Sequence, residues 1–245
     1  MREPRRLLKR ALDKFHLIDK GETALVGVSG GTDSLALLRM LAFHNERFRR
    51  NWNLIPVHVD PGFPGWPAER VVRACARTGL ECRVIRLDVP ARLAEVGNDH
   101  CFFCARERRK ALFRFAAETG ARKVALAHHL DDVNETFLMN LMFNSTSAAI
   151  LPRQELFKGE VTIVRPLYYV TKPQLAGYLR RERARPVRNS CPYHRAGKRM
   201  QVRRFLERLY RSDHRIRTNI FWGIHNLKPQ YLPRAVATRR PAAGS

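Results

Sequence analysis

The sequence lacks a long apolar run and has few cysteines and few acidic residues. No apolar stretch reaches the about 18 residues that a membrane-spanning helix needs, so we expect no membrane partner. Residues 1–20 are basic and contain no continuous apolar segment of the secretory kind, which predicts a cytoplasmic protein. The five cysteines, an odd number, do not suggest the disulfide framework of a small secreted domain.

The shortage of acidic residues leaves a large positive charge. Lysine and arginine number 46 against 22 acidic residues, which gives a net charge of +24. The excess is concentrated between Arg180 and Arg217, where 14 basic residues accompany 3 acidic ones. A general arginine-rich bias would spread the charge evenly. The distribution therefore favours a polyanionic partner, nucleic acid ahead of a membrane surface. Tyr193, Phe205 and Tyr210 lie in the same stretch and can stack on unpaired bases.

A glycine-rich turn after the first apolar run is the most specific motif. Residues 24–28 are apolar, and Ser29-Gly30-Gly31-Thr32-Asp33-Ser34 follow at once. Glycines let the backbone approach an anion closely, and the amides of a new helix's first turn point toward it. The serine hydroxyls add donors, and Asp33 is placed to face a metal ion or a nucleotide hydroxyl. The turn therefore predicts a nucleotide phosphate site.

Apolar strands alternate with helical segments along most of the chain. This alternation predicts an α/β fold with an open, doubly wound parallel sheet, followed by a basic helical C-terminal extension. We assign residues 1–20 to a basic N-terminal helix and 21–187 to the α/β domain, which carries the Cys-x-x-Cys motif. Residues 188–235 form the basic helical region with the third cysteine, and 236–245 a tail. Within the α/β domain we expect a loop with Cys101 and Cys104 before a helix from residue 106, an irregular segment over 144–159, and a helix that begins at Thr171-Lys172-Pro173.

Ligands bind at the carboxyl ends of the strands in such sheets. Besides the glycine turn, His58–Asp60 and the segment 128–132 (His-His-Leu-Asp-Asp) fall at strand ends, so we expect the three to share one crevice. Adjacent carboxylates at Asp131 and Asp132 suit Mg²⁺, although a solvated helix start also favours aspartate. Of the two histidines, one is expected to touch the nucleotide and at least one to be structural.

Three cysteines form a separate group. Cys101 and Cys104 are separated by two phenylalanines, and Cys191 follows far downstream. Three thiolates fit a 4Fe–4S cluster with one iron left open, whereas structural zinc takes four ligands. A redox dithiol is the main alternative. His194 is a candidate fourth ligand, with a phosphate contact or a solvated position as the more ordinary alternatives. Basic neighbours are expected to lower the thiol pKa values: Arg106, Arg108, Arg109 and Lys110.

The Ser-Gly-Gly-x-Asp-Ser turn resembles the PP-loop of the ATP-pyrophosphatase superfamily, whose members cleave ATP between the α and β phosphates. With the cysteines and the segment 128–132, the chain resembles the iron–sulfur-dependent tRNA thiolation enzymes, most closely the tRNA 2-thiocytidine synthetases, over about residues 11–233. Residues 59–64, 101–109, 127–132 and 164–167 carry the resemblance. It implies the Rossmann-like fold of the adenine nucleotide alpha hydrolases.

The resemblance also implies an ATP-dependent tRNA sulfurtransferase. ATP would adenylate the C2 carbonyl oxygen of a pyrimidine, expected to be an anticodon-loop cytidine, and sulfur would replace that oxygen as AMP leaves. The implied catalytic residues are Asp33, Arg108 and Asp132, and the implied cluster ligands are Cys101, Cys104 and Cys191. The implied ATP-binding residues are Ser29, Gly30, Gly31, Asp33, Ser34, His58, Asp60, Ala127, Asp131 and Asp132. The implied tRNA-binding residues are Arg106, Arg109, Lys198, Arg199, Arg203 and Arg204.

The implied cofactors are a 4Fe–4S cluster, ATP and Mg²⁺. The implied partners are tRNA and a sulfur donor, either a cysteine desulfurase or sulfide, and a homodimer is left open. Thr32 departs from the lysine found in one branch of the superfamily. Cys191-Pro192-Tyr193 is closer to the uridine-2-thiolation enzymes, and residues 130–136 are similar to the lysidine synthetases. A 2-thiouridine-forming thiolase, a lysidine-type ligase and a non-catalytic RNA-binding module are therefore the alternatives.

Overall fold

The computed structural model describes residues 3–93, 100–188, 191–193 and 197–231. The predicted tail, 236–245, and His194 lie outside these residues. Six strands are β1 Thr23–Gly27, β2 Asn53–Asp60, β3 Arg83–Arg86, β4 Lys123–Ala125, β5 Arg153–Leu156 and β6 Val161–Val164. They form one sheet in the order β3-β2-β1-β4-β6-β5. Neighbours pair in parallel except β5 and β6, which are antiparallel.

Helices connect and flank the strands. They are α1 Glu3–Lys14, α2 Thr32–Arg47, α3 Ala68–Ala76, α4 Pro90–Leu93, α5 His100–Glu118, α6 Leu130–Asn144, α7 Lys172–Arg181, α8 Lys198–Ser212 and α9 Arg215–His225. Short 3₁₀ turns occupy Phe157–Gly159 and Pro229–Tyr231. Within the described ranges, no helix combines the length and the apolar character needed to cross a bilayer.

The centre of the sheet is buried on both faces. Leu25 of β1 pairs with Ile55 of β2 on one side and with Val124 of β4 on the other. Its neighbours Ala24 and Val26 are equally inaccessible to solvent. A parallel strand covered by helices on both faces needs such a continuous apolar run.

Two apolar layers sandwich the sheet. On one face, α1, α2 and α7 contribute Leu8, Leu37 and Leu175 to the larger core. On the other face, Leu112 and Ala116 of α5 pack in the cluster that contains Leu25 of β1. Helices on both faces confirm the predicted open, doubly wound α/β architecture.

The basic helical C-terminal part is present and packs against α6. Val202, Leu206 and Tyr210 of α8 form a small apolar cluster with Leu138 and Met139 of α6. Phe221 of α9 reaches the larger core. These helices are thus anchored beside the polar start of α6.

Two local predictions were wrong. Residues 144–159 were expected to be irregular, but they contain the edge strand β5, whose polar residues Arg153, Gln154 and Glu155 are exposed and give no apolar signal. The motif with Cys101 and Cys104 was expected on a loop before a helix beginning at residue 106, but α5 already begins at residue 100. Both cysteines therefore lie on the first turns of a helix.

Candidate nucleotide and cluster site

The glycine turn joins β1 to α2 as predicted. Its two serines meet: Ser29 Oγ lies 3.1 Å from Ser34 Oγ, and the Ser34 hydroxyl also donates to the Gly31 carbonyl at 3.1 Å. Gly31 is the N-cap of α2, and no side chain there accepts a hydrogen bond from the helix amides. The amides of the first turn are therefore available to an anion, whose negative charge the helix dipole favours.

Gly30 is the tightest point of the turn. Its φ of +84° is left-handed, and a Cβ atom there would lie 2.7 Å from a methyl carbon of Val71 and 3.2 Å from Cβ of Val187. Its carbonyl accepts a hydrogen bond from the Val187 amide at 2.9 Å. Only glycine suits this conformation and this spacing. The chain segment that leads to Cys191 is thus fastened to the turn.

His129 connects the turn to the start of α6. The ring is buried, and its Nε2 lies 3.6 Å from Asp33 Oδ2 and 3.4 Å from Asp132 Oδ2. Its Nδ1 lies 3.7 Å from Asp131 Oδ2. Burial would lower the pKa of His129, but the contact with Asp33 and the charges of Asp132 and Asp131 outweigh it and raise that pKa. The turn and the segment 128–132 therefore meet, as predicted.

Arginines from the C-terminal helices neutralise the carboxylates of α6. Arg199 Nη2 donates to Asp132 Oδ1 at 2.8 Å, and Arg217 Nε lies 2.9 Å from Asp131 Oδ1. Burial would raise the pKa of Asp132, but the charges of His129 and Arg199 lower it below its usual value. Both aspartates are thus occupied by protein cations.

Glu135, one turn further along α6, is the centre of this network. Its side chain is 4% exposed, and it accepts two hydrogen bonds from Arg203, at 2.7 and 2.9 Å, and one from Arg199 Nε at 3.1 Å. The hydrogen bond to Glu135 raises the pKa of Arg203. Arg199 and Arg203, both predicted to bind tRNA, thus have their guanidinium groups against α6.

Asp33 differs from the two aspartates of α6. Its side chain is 34% exposed, and its Oδ1 atom has no hydrogen-bond partner within the ranges that the structure describes. Mg²⁺ takes one or two carboxylates and completes its shell with phosphate oxygens and water. Asp33 fits that requirement, whereas Asp131 and Asp132 in their arginine pairs do not.

His58 was predicted to bind ATP, but both of its ring nitrogens have protein partners. Nδ1 lies 2.7 Å from the Val28 carbonyl, and Nε2 accepts a hydrogen bond from Trp66 Nε1 at 3.1 Å. Burial lowers the pKa of His58, which favours the neutral ring that this arrangement needs. Asp60 accepts the Gly62 amide at 2.9 Å and closes the following turn. Both side chains therefore make protein contacts at the end of β2.

The segments that carry the three cysteines come together. Cys101 Sγ lies 3.4 Å from the Tyr193 carbonyl, which places the start of α5 beside the segment with Cys191. Burial raises the pKa of Cys101 and of Cys104, and the charge of a Cys191 thiolate raises both further. Lowered values were expected here; Arg108, which contacts Cys104, opposes the rise without reversing it.

In the described part of the chain the thiols are not arranged as a metal site, and apolar side chains pack against Cys104. Among the residues described, no three His, Cys, Asp or Glu side chains form a group that could hold a metal ion. Phe63, Val89 and Phe103 form an apolar group against Cys104, and such a shell limits solvent access to a cluster.

The other predicted tRNA-binding residues vary in exposure. Arg106 is exposed and lies 3.4 Å from Glu107, and Lys198 lies 5.1 Å from the Phe143 ring centroid. Arg109 and Arg204 are exposed. Ala127, predicted to bind ATP, is half-buried against the larger core.

Two members of this network of carboxylates and arginines, Glu135 and Arg217, were not predicted from the sequence. The spacing of Glu135 from Asp131 and Asp132 places the three acids on one side of α6, and this was the available signal. No sequence pattern points to Arg217, because many exposed arginines surround it.

Comparison with known proteins agrees with this geometry. Residues 4–209 match the model of the PP-loop domain family. A tRNA-cytidine(32) 2-sulfurtransferase from Syntrophotalea carbinolica is 33% identical, over 94% of this chain and 91% of that protein. The protein of the same name from Geobacter sulfurreducens is 32% identical, over 91% and 89%.

A solved structure shares the fold. The U34-tRNA thiolase NcsA from Methanococcus maripaludis, solved with its [4Fe-4S] cluster, superposes with a TM-score of 0.72 at 22% identity. The match covers 94% of this chain and 79% of that one. The chain therefore belongs to the PP-loop family, in the group of the tRNA-cytidine(32) 2-sulfurtransferases.

Proposed function

We propose that the chain is an ATP-dependent tRNA sulfurtransferase that forms 2-thiocytidine in the anticodon loop, at position 32 as the names of its relatives state. The observation that carries the proposal is the meeting of two sites. Trp66 donates its indole N–H to His58 at the end of β2, and it packs against the same apolar group as Cys104. A set of three cysteines suited to a cluster thus adjoins the crevice beside a phosphate-binding turn.

The turn after β1 is proposed to hold ATP. The amides of residues 30–34 and the two serine hydroxyls bind phosphate oxygens, and the close approach at Gly30 keeps the loop in position. Asp33 is the proposed Mg²⁺ ligand. Thr32 carries no charge. We therefore propose that His129, whose ring adjoins Asp33, supplies the positive charge beside the phosphates. Asp132 acts on the nucleotide indirectly, by holding His129.

Cys101, Cys104 and Cys191 are proposed to hold a 4Fe–4S cluster. When bound, the cluster supplies an open iron at which sulfur can be held for transfer. Arg108 Nε is buried and has no hydrogen-bond partner among the described residues. We propose that Arg108 donates to the oxygen of the activated base and stabilises the charge that develops there.

The tRNA is proposed to reach this crevice along α5 and α8. Arg109 and Arg204 are exposed, as are Arg106 and Lys198 despite their contacts. The C2 atom of a stacked base is inaccessible, so the target cytidine must leave the stack. The exposed arginines would then bind the backbone on either side of the target.

Mass spectrometry of tRNA nucleosides from a strain that lacks the gene tests this function. We expect 2-thiocytidine to disappear, and to return with the wild-type gene or Cys82→Ala but not with Cys101→Ala. Cys82 is the matched control because it is a cysteine outside the group of three. Loss of a 2-thiouridine would support the uridine alternative, and an unchanged profile would contradict thiolation altogether.

Anaerobic preparations give an independent measurement. The wild-type protein and Cys82→Ala should each contain about four iron and four sulfide ions per chain, and Cys101→Ala should lose them. Equal iron contents in wild type and Cys101→Ala would show that these cysteines do not hold a cluster.

A further inference from the structure

A basic groove lies at the end of the sheet opposite the PP-loop, where the strands begin. Arg5 of α1, Arg39 of α2, Arg49 after α2 and Arg77 after α3 line it, and its cavity measures about 620 Å³. We call it the far-edge groove. Leu54, near the amino end of β2, also lines it. α2 has 16 residues and is therefore about 24 Å long, and the groove begins near its middle, at Arg39. The groove is thus separate from the nucleotide site.

The charge of the groove is positive. Four arginines line it against two acids, Glu46 and Glu182. Glu182 lies 3.3 Å from Arg5 Nη2, so part of its charge is already compensated. Arg49 and Arg77 are exposed on its rim. Arginine binds phosphate in a planar, two-pronged manner, so this excess of guanidinium groups suits a phosphate.

Arg5 is held in place within the groove. Its guanidinium carbon lies 3.7 Å from the Phe43 ring centroid, and Nη2 donates to the Tyr178 hydroxyl at 3.1 Å. Its Nε is buried and has no hydrogen-bond partner among the described residues. Buried polar groups are normally paired, so a positioned cation with a spare donor marks a place where an acceptor is missing.

Arg49, just after the end of α2, has an uncommon backbone conformation. Its φ of +48° is left-handed, as is that of Asn51 at +55°, and both residues line the groove. A helix commonly ends on glycine in this conformation, because other residues adopt it at a cost. Here an arginine takes that position, and it brings a long cationic side chain to the rim.

We propose that the far-edge groove binds phosphates of the RNA backbone, at a second site remote from the base that reacts. This inference rests on the proposed function for its choice of RNA over a free phosphate compound. Further basic residues adjoin the lining in the sequence. Arg6 follows Arg5, Arg181 and Arg183 flank Glu182 at the end of α7, and all three are exposed. A groove that continues into a basic surface suits a long polyanion better than a small anion.

Two double variants of equal charge test the proposal. Arg49→Ala with Arg77→Ala removes two rim arginines of the groove. Arg47→Ala with Arg73→Ala removes two exposed arginines from α2 and α3 that do not line it. Binding of unmodified tRNA is measured from about 50 to about 200 mM salt. The KM for ATP should equal the wild-type value in both variants, which confirms folding.

We expect the groove variant to bind tRNA about tenfold more weakly and its salt slope to fall by about 2, while the control stays near wild type. Equal affinities of the two variants would overturn the proposal and leave the proposed function intact. Absence of tRNA binding by the wild-type chain would contradict both.

A calorimetric titration with inorganic phosphate forms the second arm. Phosphate binding that is lost in the groove variant while tRNA binding persists would overturn the assignment to RNA.

Discussion

Nε2 of His129 lies 3.6 Å from Oδ2 of Asp33, and this contact joins the PP-loop to the start of α6. The buried ring lies among three carboxylates, and its pKa is raised. A ring whose charged form is favoured by three carboxylates thus lies beside the PP-loop, although position 32 carries threonine. The charge that a lysine brings in one branch of the superfamily has a counterpart from another part of the chain.

Replacement of His129 should therefore weaken ATP binding. His129→Gln keeps a polar side chain but removes the charge beside Asp33, and we expect the KM for ATP to rise about tenfold, the equivalent of about 1.4 kcal/mol. Adding Thr32→Lys to the same chain should recover most of the loss, because it returns a cation to the loop. Steady-state kinetics with saturating tRNA measure both. Failure of Thr32→Lys to improve the KM would contradict the assignment of charge to His129.

Gly30→Ala should damage the nucleotide site through shape alone. The new Cβ would lie 2.7 Å from the side chain of Val71 in a left-handed conformation, so the loop must move. We expect the KM for ATP to rise at least tenfold. Gly79→Ala is the control, because Gly79 has a φ of +76° but open space around it. That variant should lose about 1 kcal/mol of stability and keep its KM. Equal KM values would exclude a close approach at Gly30.

Glu135→Gln should loosen the C-terminal helices. The neutral amide removes the buried counter-charge that Arg203 contacts most closely and one of the two that Arg199 contacts. We expect the free energy of unfolding to fall by about 2 kcal/mol. Glu155→Gln breaks an ion pair with Arg153 on the exposed strand β5 and should cost less than about 1 kcal/mol. Urea denaturation measures both changes. Similar losses in the two variants would show that the buried network contributes no more than a surface pair.

Stability should fall in mild acid because of His44. Burial, followed by the charge of Arg50, lowers the pKa of this side chain from 6.5 to about 4. The unfolded chain then binds a proton that the folded chain excludes, so the free energy of unfolding falls as the pH drops from about 6.5 to about 4. His44→Leu should flatten this dependence in denaturation curves measured across that range. An unchanged slope would assign the effect to other groups.

The fold was predictable because its signals are local. The apolar runs of β1 and β2 and the Thr171-Lys172-Pro173 start of α7 appear in the sequence, and Thr171 does accept the Gln174 amide as a cap. The edge strand β5 was missed because it is polar and is held by its partner β6 rather than by its own pattern.

The site was predictable to the level of segments but not of contacts. The first turn of α6 decides which of the two neighbouring histidines faces Asp33. Tertiary packing decides that both ring nitrogens of His58 have protein partners, Val28 and Trp66. The pairing of Arg199 with α6 follows from the docking of α8, which no local pattern encodes.

The Val187 amide donates a hydrogen bond to the Gly30 carbonyl of the PP-loop. Val187 stands four residues before Cys191 in the sequence. The same short stretch of chain therefore contacts the PP-loop and leads to the third cysteine. We expect oxidation of the three cysteines to disturb this stretch and to raise the KM for ATP, which steady-state kinetics before and after exposure to oxygen would measure.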